Sequence, residues 1–145
     1  MNPKPQIQYL NTDLDLVSSC PLDGFSDEMT AQNLCGNVTQ GDDGLWYAMF
    51  EDFNADEPEP NIVKLLDALD RLSLRETQVL RQCHKIEFNI GYDCGDEPWS
   101  FNQGLSHDTL RRIVEYGAAL RVTLYPYIPD DDPRIKHTDL TIEDH

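Results

Sequence analysis

The fold is decided by residues 85–127, which read KIEFNIGYDCGDEPWSFNQGLSHDTLRRIVEYGAALRVTLYPY. Apolar and polar residues alternate over residues 86–92 and again over residues 120–125, and a period of two is typical of a strand with one buried face. Between these segments Ser106 is a favourable helix N-cap, apolar residues follow at helical spacing, and Gly117 suits a helix C-terminus. The stretch therefore predicts strand, loop, helix, strand.

The two predicted strands carry matching faces. One face is apolar and is expected to point into the core; it comprises Phe88, Ile90, Val122 and Leu124. The other face is polar and is expected to be less buried; it comprises Glu87, Asn89, Arg121 and Thr123.

The preceding part of the chain adds further elements of both kinds. In chain order they are a short strand at 14–17, a helix over 26–36, a polar loop at 37–44, a strand at 45–50, an acidic loop at 51–60 and helices over 62–72 and 73–82. The helix over 62–72 has the clearest apolar stripe, since Leu65, Leu66 and Leu69 recur at helical spacing.

The element order is β-α-β-α-α-β-α-β, which predicts an α+β two-layer sandwich. Its four-stranded mixed sheet carries three to four helices, mainly on one face. The 145 residues suit one domain. We expect a flexible N-terminal arm at 1–11, a single α+β domain at 12–128 and an acidic, polar tail at 129–145, which could become ordered against a partner or another subunit.

The charge balance limits the classes of partner. The formal net charge is −16, and residues 1–60 contain twelve acidic residues against one base, Lys4. An acidic segment attracts a basic protein, whereas it is repelled by phosphate groups. We therefore expect a basic protein partner and no nucleic acid. Without an apolar run of roughly 18 residues or a signal region, we also expect a cytoplasmic location and no membrane partner.

No motif predicts catalysis. The sequence contains no glycine-rich phosphate loop and no nucleophile elbow. The acidic loop at 51–60 has the wrong spacing for calcium, and the four cysteines lack paired metal-ligand spacing and are expected to be reduced. The prediction is therefore no catalytic residue, no cofactor and no metal site.

Two surfaces are candidates for binding. The first is an acidic partner-binding surface formed by Asp42, Asp43, Asp52, Asp56, Glu57 and Glu59. The second is a ligand cleft lined by aromatic side chains, namely Tyr92, Trp99, Phe101 and Tyr125. A loop folded over the edge of the core would account for the same aromatic residues without any ligand.

The C-terminal half of the chain also resembles a known family. The strand at 86–92, the helix start LSHDTLRRI and the return strand GAALRVTLY together resemble small, uncharacterised bacterial α+β domains. Some members of that family look like immunity proteins, which neutralise a toxin by binding it. The resemblance covers residues 86–127, and residues 12–72 only in element order and in the position of Trp46. It implies binding and no catalytic residue.

Two functions follow from these observations as hypotheses. The first is a non-enzymatic protein-binding domain, of the inhibitor or immunity type, that engages a basic partner. The alternative is an enzyme or small-ligand-binding domain that uses the cleft near Trp99 and Tyr125. Self-association as a homodimer is also left open.

Overall fold

The computed structural model describes residues 4–52 and 55–128. They form five strands and four helices. In chain order these are β1 (Gln8–Ser18), α1 (Asp23–Thr30), β2 (Cys35–Gln40), β3 (Trp46–Asp52), α2 (Pro58–Asp70), α3 (Leu74–Arg81), β4 (Lys85–Asp93), α4 (His107–Glu115) and β5 (Ala119–Tyr125).

The strands form one mixed sheet in the order β2-β3-β1-β4-β5. Only the β4–β5 pair is parallel, and α4 connects its two strands. The long strand β1 lies in the centre and pairs antiparallel with β3 and with β4. Leu14 lies opposite both Phe50 and Phe88, so the core begins at this row of the sheet.

The helices cover the face of the sheet that bears Leu14, which we call the helix face. Helices α1 and α2 contact strands directly, while α3 packs on α1 and α4 packs chiefly on α2. Leu66 and Leu69 of α2 are buried in the core, as the apolar stripe predicts. Among the helices of residues 4–52 and 55–128, none is long and apolar enough to cross a membrane.

The predicted cap at Ser106 is confirmed, and Ser73 caps α3 in the same way. Ser73 Oγ accepts a hydrogen bond from the Glu76 N–H at 3.3 Å, and Ser106 Oγ accepts one from the Thr109 N–H at 3.1 Å. Gly117 ends α4 with a positive φ of 68°, a conformation that glycine adopts without a steric penalty.

The general α+β class is confirmed, but the prediction of four strands is wrong. The additional strand is β2, which the sequence placed in a helix end and a polar loop. It forms a hairpin with β3 although only Val38 of its six residues is partly buried. An edge strand of this kind is held by main-chain hydrogen bonds, so it needs no apolar alternation that a sequence could reveal. The preceding helix α1 also begins earlier than predicted, at Asp23 instead of Ser26.

The first strand is longer than predicted. It begins at Gln8, so residues 8–11 of the expected arm pair with β4. Tyr9 is buried there, and its hydroxyl forms a hydrogen bond with Thr12 Oγ1 at 2.8 Å. Of the other terminal predictions, residues 1–3 of the arm and the whole tail at 129–145 lie outside the described residues.

The predicted strand faces are correct for Phe88, Ile90 and Arg121 and wrong for Glu87, Val122 and Leu124. Phe88 and Ile90 are buried, but Val122 and Leu124 of β5 are 55% and 62% exposed. Because α4 packs on α2, no described element covers β5 on the helix face. Glu87 of the polar face is only 6% exposed, because the side chains of Lys85 and Arg121 lie over it.

Candidate functional site

The six acidic residues of the predicted partner surface do not form one patch. Asp42 and Asp43 lie in the turn between β2 and β3, whereas Asp52 ends β3 and the other three surround the start of α2. The turn and Asp52 are at opposite ends of a seven-residue strand. Such a strand spans about 20 Å, so the two groups cannot act as one cluster.

Three of these acids have structural partners. The carboxylate of Asp43 accepts hydrogen bonds from the Tyr47 hydroxyl and from the Leu45 N–H, and these bonds lower the pKa of Asp43. Asp52 is only 7% exposed and lies 3.3 Å from Lys64 Nζ. Glu59 Oε1 accepts the Ser106 N–H at 2.8 Å and thereby connects α2 to the start of α4. Asp42, Asp56 and Glu57 remain exposed.

Two of the four cleft residues come together. Tyr92 and Phe101 pack edge to face, with ring centroids 6.0 Å apart. Trp99 is 98% exposed and lies outside the groove that they line. Tyr125 lies on the other face of the sheet, where its ring is beside Gly91.

The groove has a volume of about 590 Å³ and is mostly apolar. It lies on the helix face at the ends of β4 and β5, below the loop at 94–105. Its apolar lining includes Ile90, Phe101, Leu105, Leu110, Val122 and Leu124. Gln103 secures the loop, because its side chain accepts the Tyr92 hydroxyl at 3.1 Å and donates to the Asp56 carbonyl at 2.9 Å. The geometry suits an apolar occupant.

The opposite face of the sheet, which we call the open face, carries no described helix. The carboxylates in the middle of this face are those of Asp13, Asp15, Glu51 and Glu87. Asp13 lies directly opposite Glu51 on β3, and Asp15 lies opposite Glu87 on β4. Asn11 Nδ2 donates to Asp13 Oδ1 at 3.0 Å and to Glu51 Oε2 at 2.6 Å, so it holds the first two carboxylates side by side.

The electrostatics differ across the open face. Hydrogen bonding from Arg121 lowers the pKa of Glu87, and Lys85 adds a second cation at 3.3 Å. Burial raises the pKa of Asp13 to about 7, and the adjacent Glu51 and the charge of Asp15 add to the effect. Burial likewise raises the pKa of Asp15. Within the part of the chain that the structure describes, neither Asp13 nor Glu51 forms an ion pair with a lysine or arginine.

Sequence reasoning did not select these four residues. Asp13 precedes the strand predicted at 14–17, Asp15 lies within that strand, and Glu87 was assigned to the less buried face of its own strand. Glu51 was assigned to the acidic loop, directly after the apolar strand predicted at 45–50. The structure extends that strand to Asp52 and so includes Glu51, but its neighbour Asp13 follows only from strand pairing.

Outside the groove and the open face, one serine lies beside a histidine that could act as its general base. Ser19 Oγ lies within hydrogen-bond distance of His84 Nε2, and both residues are exposed. A catalytic histidine is normally oriented by a third group on its other ring nitrogen. No carboxylate of residues 4–52 or 55–128 forms a hydrogen bond with the other ring nitrogen of His84. In the same residues, no group of three histidine, cysteine or acidic side chains could hold a metal ion.

The chain matches no model of a known protein family, no curated protein and no solved structure. The resemblance of residues 86–127 to small, uncharacterised bacterial α+β domains therefore stays a prediction. The functional proposal is based on the surfaces that the fold presents.

Proposed function

We propose that the chain is a non-enzymatic protein-binding domain, of the inhibitor or immunity type, that engages a basic cytoplasmic partner through the open face. The observation that supports it is the side-by-side placement of Asp13 and Glu51 in the middle of a sheet face that no described helix covers. We expect no nucleic acid or membrane partner, because the surface is strongly acidic.

The physical reason is that no lysine or arginine of residues 4–52 or 55–128 forms an ion pair with these two carboxylates. Two carboxylates held in adjacent cross-strand positions repel each other when both are charged. A lysine or arginine side chain from a partner would neutralise the pair and form charge-assisted hydrogen bonds with it. Glu87 has such cations within the chain, in Lys85 and Arg121, whereas Asp13 and Glu51 would receive theirs from the partner.

The predicted acidic loop keeps a smaller role in this proposal. Asp56 and Glu57 are exposed and add to the negative charge of the molecule. Exposed charges act mainly on the rate of association, and salt screens them over roughly 8–10 Å. The direct contacts are assigned to the open face.

The test begins with capture of the partner. A photo-crosslinking residue replaces Thr39, which is exposed on the open face, and in a control it replaces Leu74, which is exposed on α3. A partner on the open face crosslinks from position 39 and not from position 74. A partner that crosslinks equally from both positions, or that has an acidic surface, would contradict the proposal.

Binding kinetics with the purified partner then separate local contact from overall charge. The double variant Asp13→Asn/Glu51→Gln is compared with Asp27→Asn/Asp42→Asn, which also replaces two carboxylates by amides, at exposed sites on α1 and in the β2–β3 turn. We expect the first variant to weaken binding at least about tenfold and the second less than about threefold. Equal effects of the two variants would mean that the open face is not the contact surface.

The groove favours a second candidate function, the binding of a small apolar ligand. In that case Tyr92 and Phe101 would line the site, while Trp99 and Tyr125 would not take part. Substituting Phe101 by Ala should then abolish the stabilisation that the ligand gives in thermal unfolding, and Trp99→Ala should leave it unchanged.

A further inference from the structure

Strand β5 is an edge that the described part of the chain leaves uncovered in two ways. It pairs with β4 on one side only, so its outer main-chain groups have no strand beside them. Its apolar side chains also remain exposed on the helix face. Natural edge strands are usually protected by charge, by proline or by a covering element. Along β5 the single charged side chain is Arg121.

The exposed side chains form one surface. Leu120, Val122 and Leu124 of β5 line the groove, and α4 adds the exposed Leu110 to the same lining. We call these four residues the β5 surface. An apolar area of this kind on an otherwise acidic molecule marks a place where another segment packs.

We propose that residues 137–143 of the same chain, His-Thr-Asp-Leu-Thr-Ile-Glu, add to β5 as a sixth, antiparallel strand and place Leu140 and Ile142 on the β5 surface. The segment alternates polar and apolar residues from Asp139 to Glu143 and is rich in β-branched side chains. Both features favour a strand over a helix.

The position of the segment in the chain supports this occupant. Residues 126–136 separate it from β5 and contain Pro126, Pro129 and Pro133. Prolines disfavour strand pairing, whereas residues 134–145 contain neither proline nor glycine. In an antiparallel pairing the segment begins beside the end of β5, so the eleven linking residues, which reach up to about 36 Å, need to cross only the roughly 5 Å between neighbouring strands. The segment can therefore turn back along the whole strand.

One register satisfies both faces of the sheet. With Leu140 opposite Val122, Ile142 lies opposite Leu120, so apolar residues meet on the helix face. The same register places Asp139 and Glu143 on the open face, diagonal to Arg121, whose side chain is more than half exposed. Diagonal neighbours in a sheet are within reach of long side chains, so opposite charges meet there. A shift by one residue would place Leu140 and Ile142 on the open face and the two acidic residues on the helix face.

A segment of the same chain also has an advantage over a second copy. A tether of this length maintains a local concentration in the millimolar range. Two copies of a chain with a net charge of −16 repel each other instead. The sixth strand would form whether or not the open face binds a basic partner.

Methyl NMR on the full chain tests the inference directly. We expect nuclear Overhauser contacts between the methyl groups of Val122 and Leu140 and between those of Leu120 and Ile142. In a mixture of labelled and unlabelled protein, these contacts should remain within one chain. Contacts that appear only between chains would assign the β5 surface to a homodimer, and the absence of both contacts would assign it to another occupant; either result overturns the proposal.

Two variants that differ by one position provide the control. Leu140→Asp places a charge on the β5 surface, whereas Thr141→Asp places the same charge on the open face, opposite Arg121. We expect the outer amides of β5 to exchange with solvent at least about tenfold faster in Leu140→Asp and at an unchanged rate in Thr141→Asp. Equal exchange rates in the two variants, or outer amides that are unprotected in the unmodified chain, would refute the sixth strand.

Discussion

Replacing Asp13 by asparagine should stabilise the protein above neutral pH. Burial beside Glu51 and Asp15 raises the pKa of Asp13 to about 7 from an ordinary value of 3.8. The folded state therefore binds more protons than the unfolded state between these two values, and the free energy of unfolding falls as pH rises through this window. At about 1.4 kcal/mol per pKa unit the full difference would be about 4 kcal/mol. Because Asp13 is only half-buried, solvent screening reduces the expected gain to about 1–2 kcal/mol.

Asparagine keeps the shape of the side chain and removes the charge. Its amide can also donate a hydrogen bond to Glu51, which a carboxylate cannot do. Urea unfolding at pH 5, 6, 7 and 8 gives the difference in unfolding free energy between variant and unmodified protein. This difference should grow with pH and reach its full value above pH 7. For Asp42→Asn, in the exposed turn, it should stay constant. A constant difference for Asp13→Asn as well, or a less stable variant at pH 8, would refute the reasoning.

Two further predictions concern the core. Leu66→Ala should lower the free energy of unfolding by about 2–5 kcal/mol in urea titrations, because Leu66 is fully buried. The control Leu74→Ala, at an exposed site, should change it by less than about 0.5 kcal/mol. Gly36→Ala should lower the thermal midpoint, since its methyl group would lie 2.6 Å from the Phe50 ring and overpacking costs about 1–3 kcal/mol. Gly104→Ala meets no atom within 4 Å and should leave the midpoint unchanged; equal midpoints for both glycine variants would contradict the packing argument.

The added strand β2 shows why the strand count could not be predicted. Its residues are mainly polar and exposed, and its pairing with β3 rests on main-chain hydrogen bonds. Every residue carries those groups, so the pairing has no side-chain pattern of its own. The prediction for α4 was correct because both of its ends are marked locally, by Ser106 and by Gly117.

The candidate site depended even more on tertiary structure. The acidic residues close together in sequence, at 42–59, are distributed over both ends of β3, and Asp52 is buried. Asp13 and Glu51 are far apart in sequence and lie side by side in the sheet. Net charge is a property of composition, but the place where charges meet is a property of strand register.

The amino-acid sequence by itself determined the α+β class, the amphipathic helices with their caps, the alternation of the main strands and the acidic charge. Each of these depends on interactions within a few residues or on composition. Only the tertiary structure decided that Asp13 and Glu51 become neighbours and that the apolar side of β5 stays uncovered by α4. The first depends on the pairing of strands distant in sequence, and the second on α4 packing against α2, where Arg112 bonds to Asp67 and Asp70. Alternation shows that a strand has an apolar face, but the element that covers that face is chosen by the packing of the whole chain.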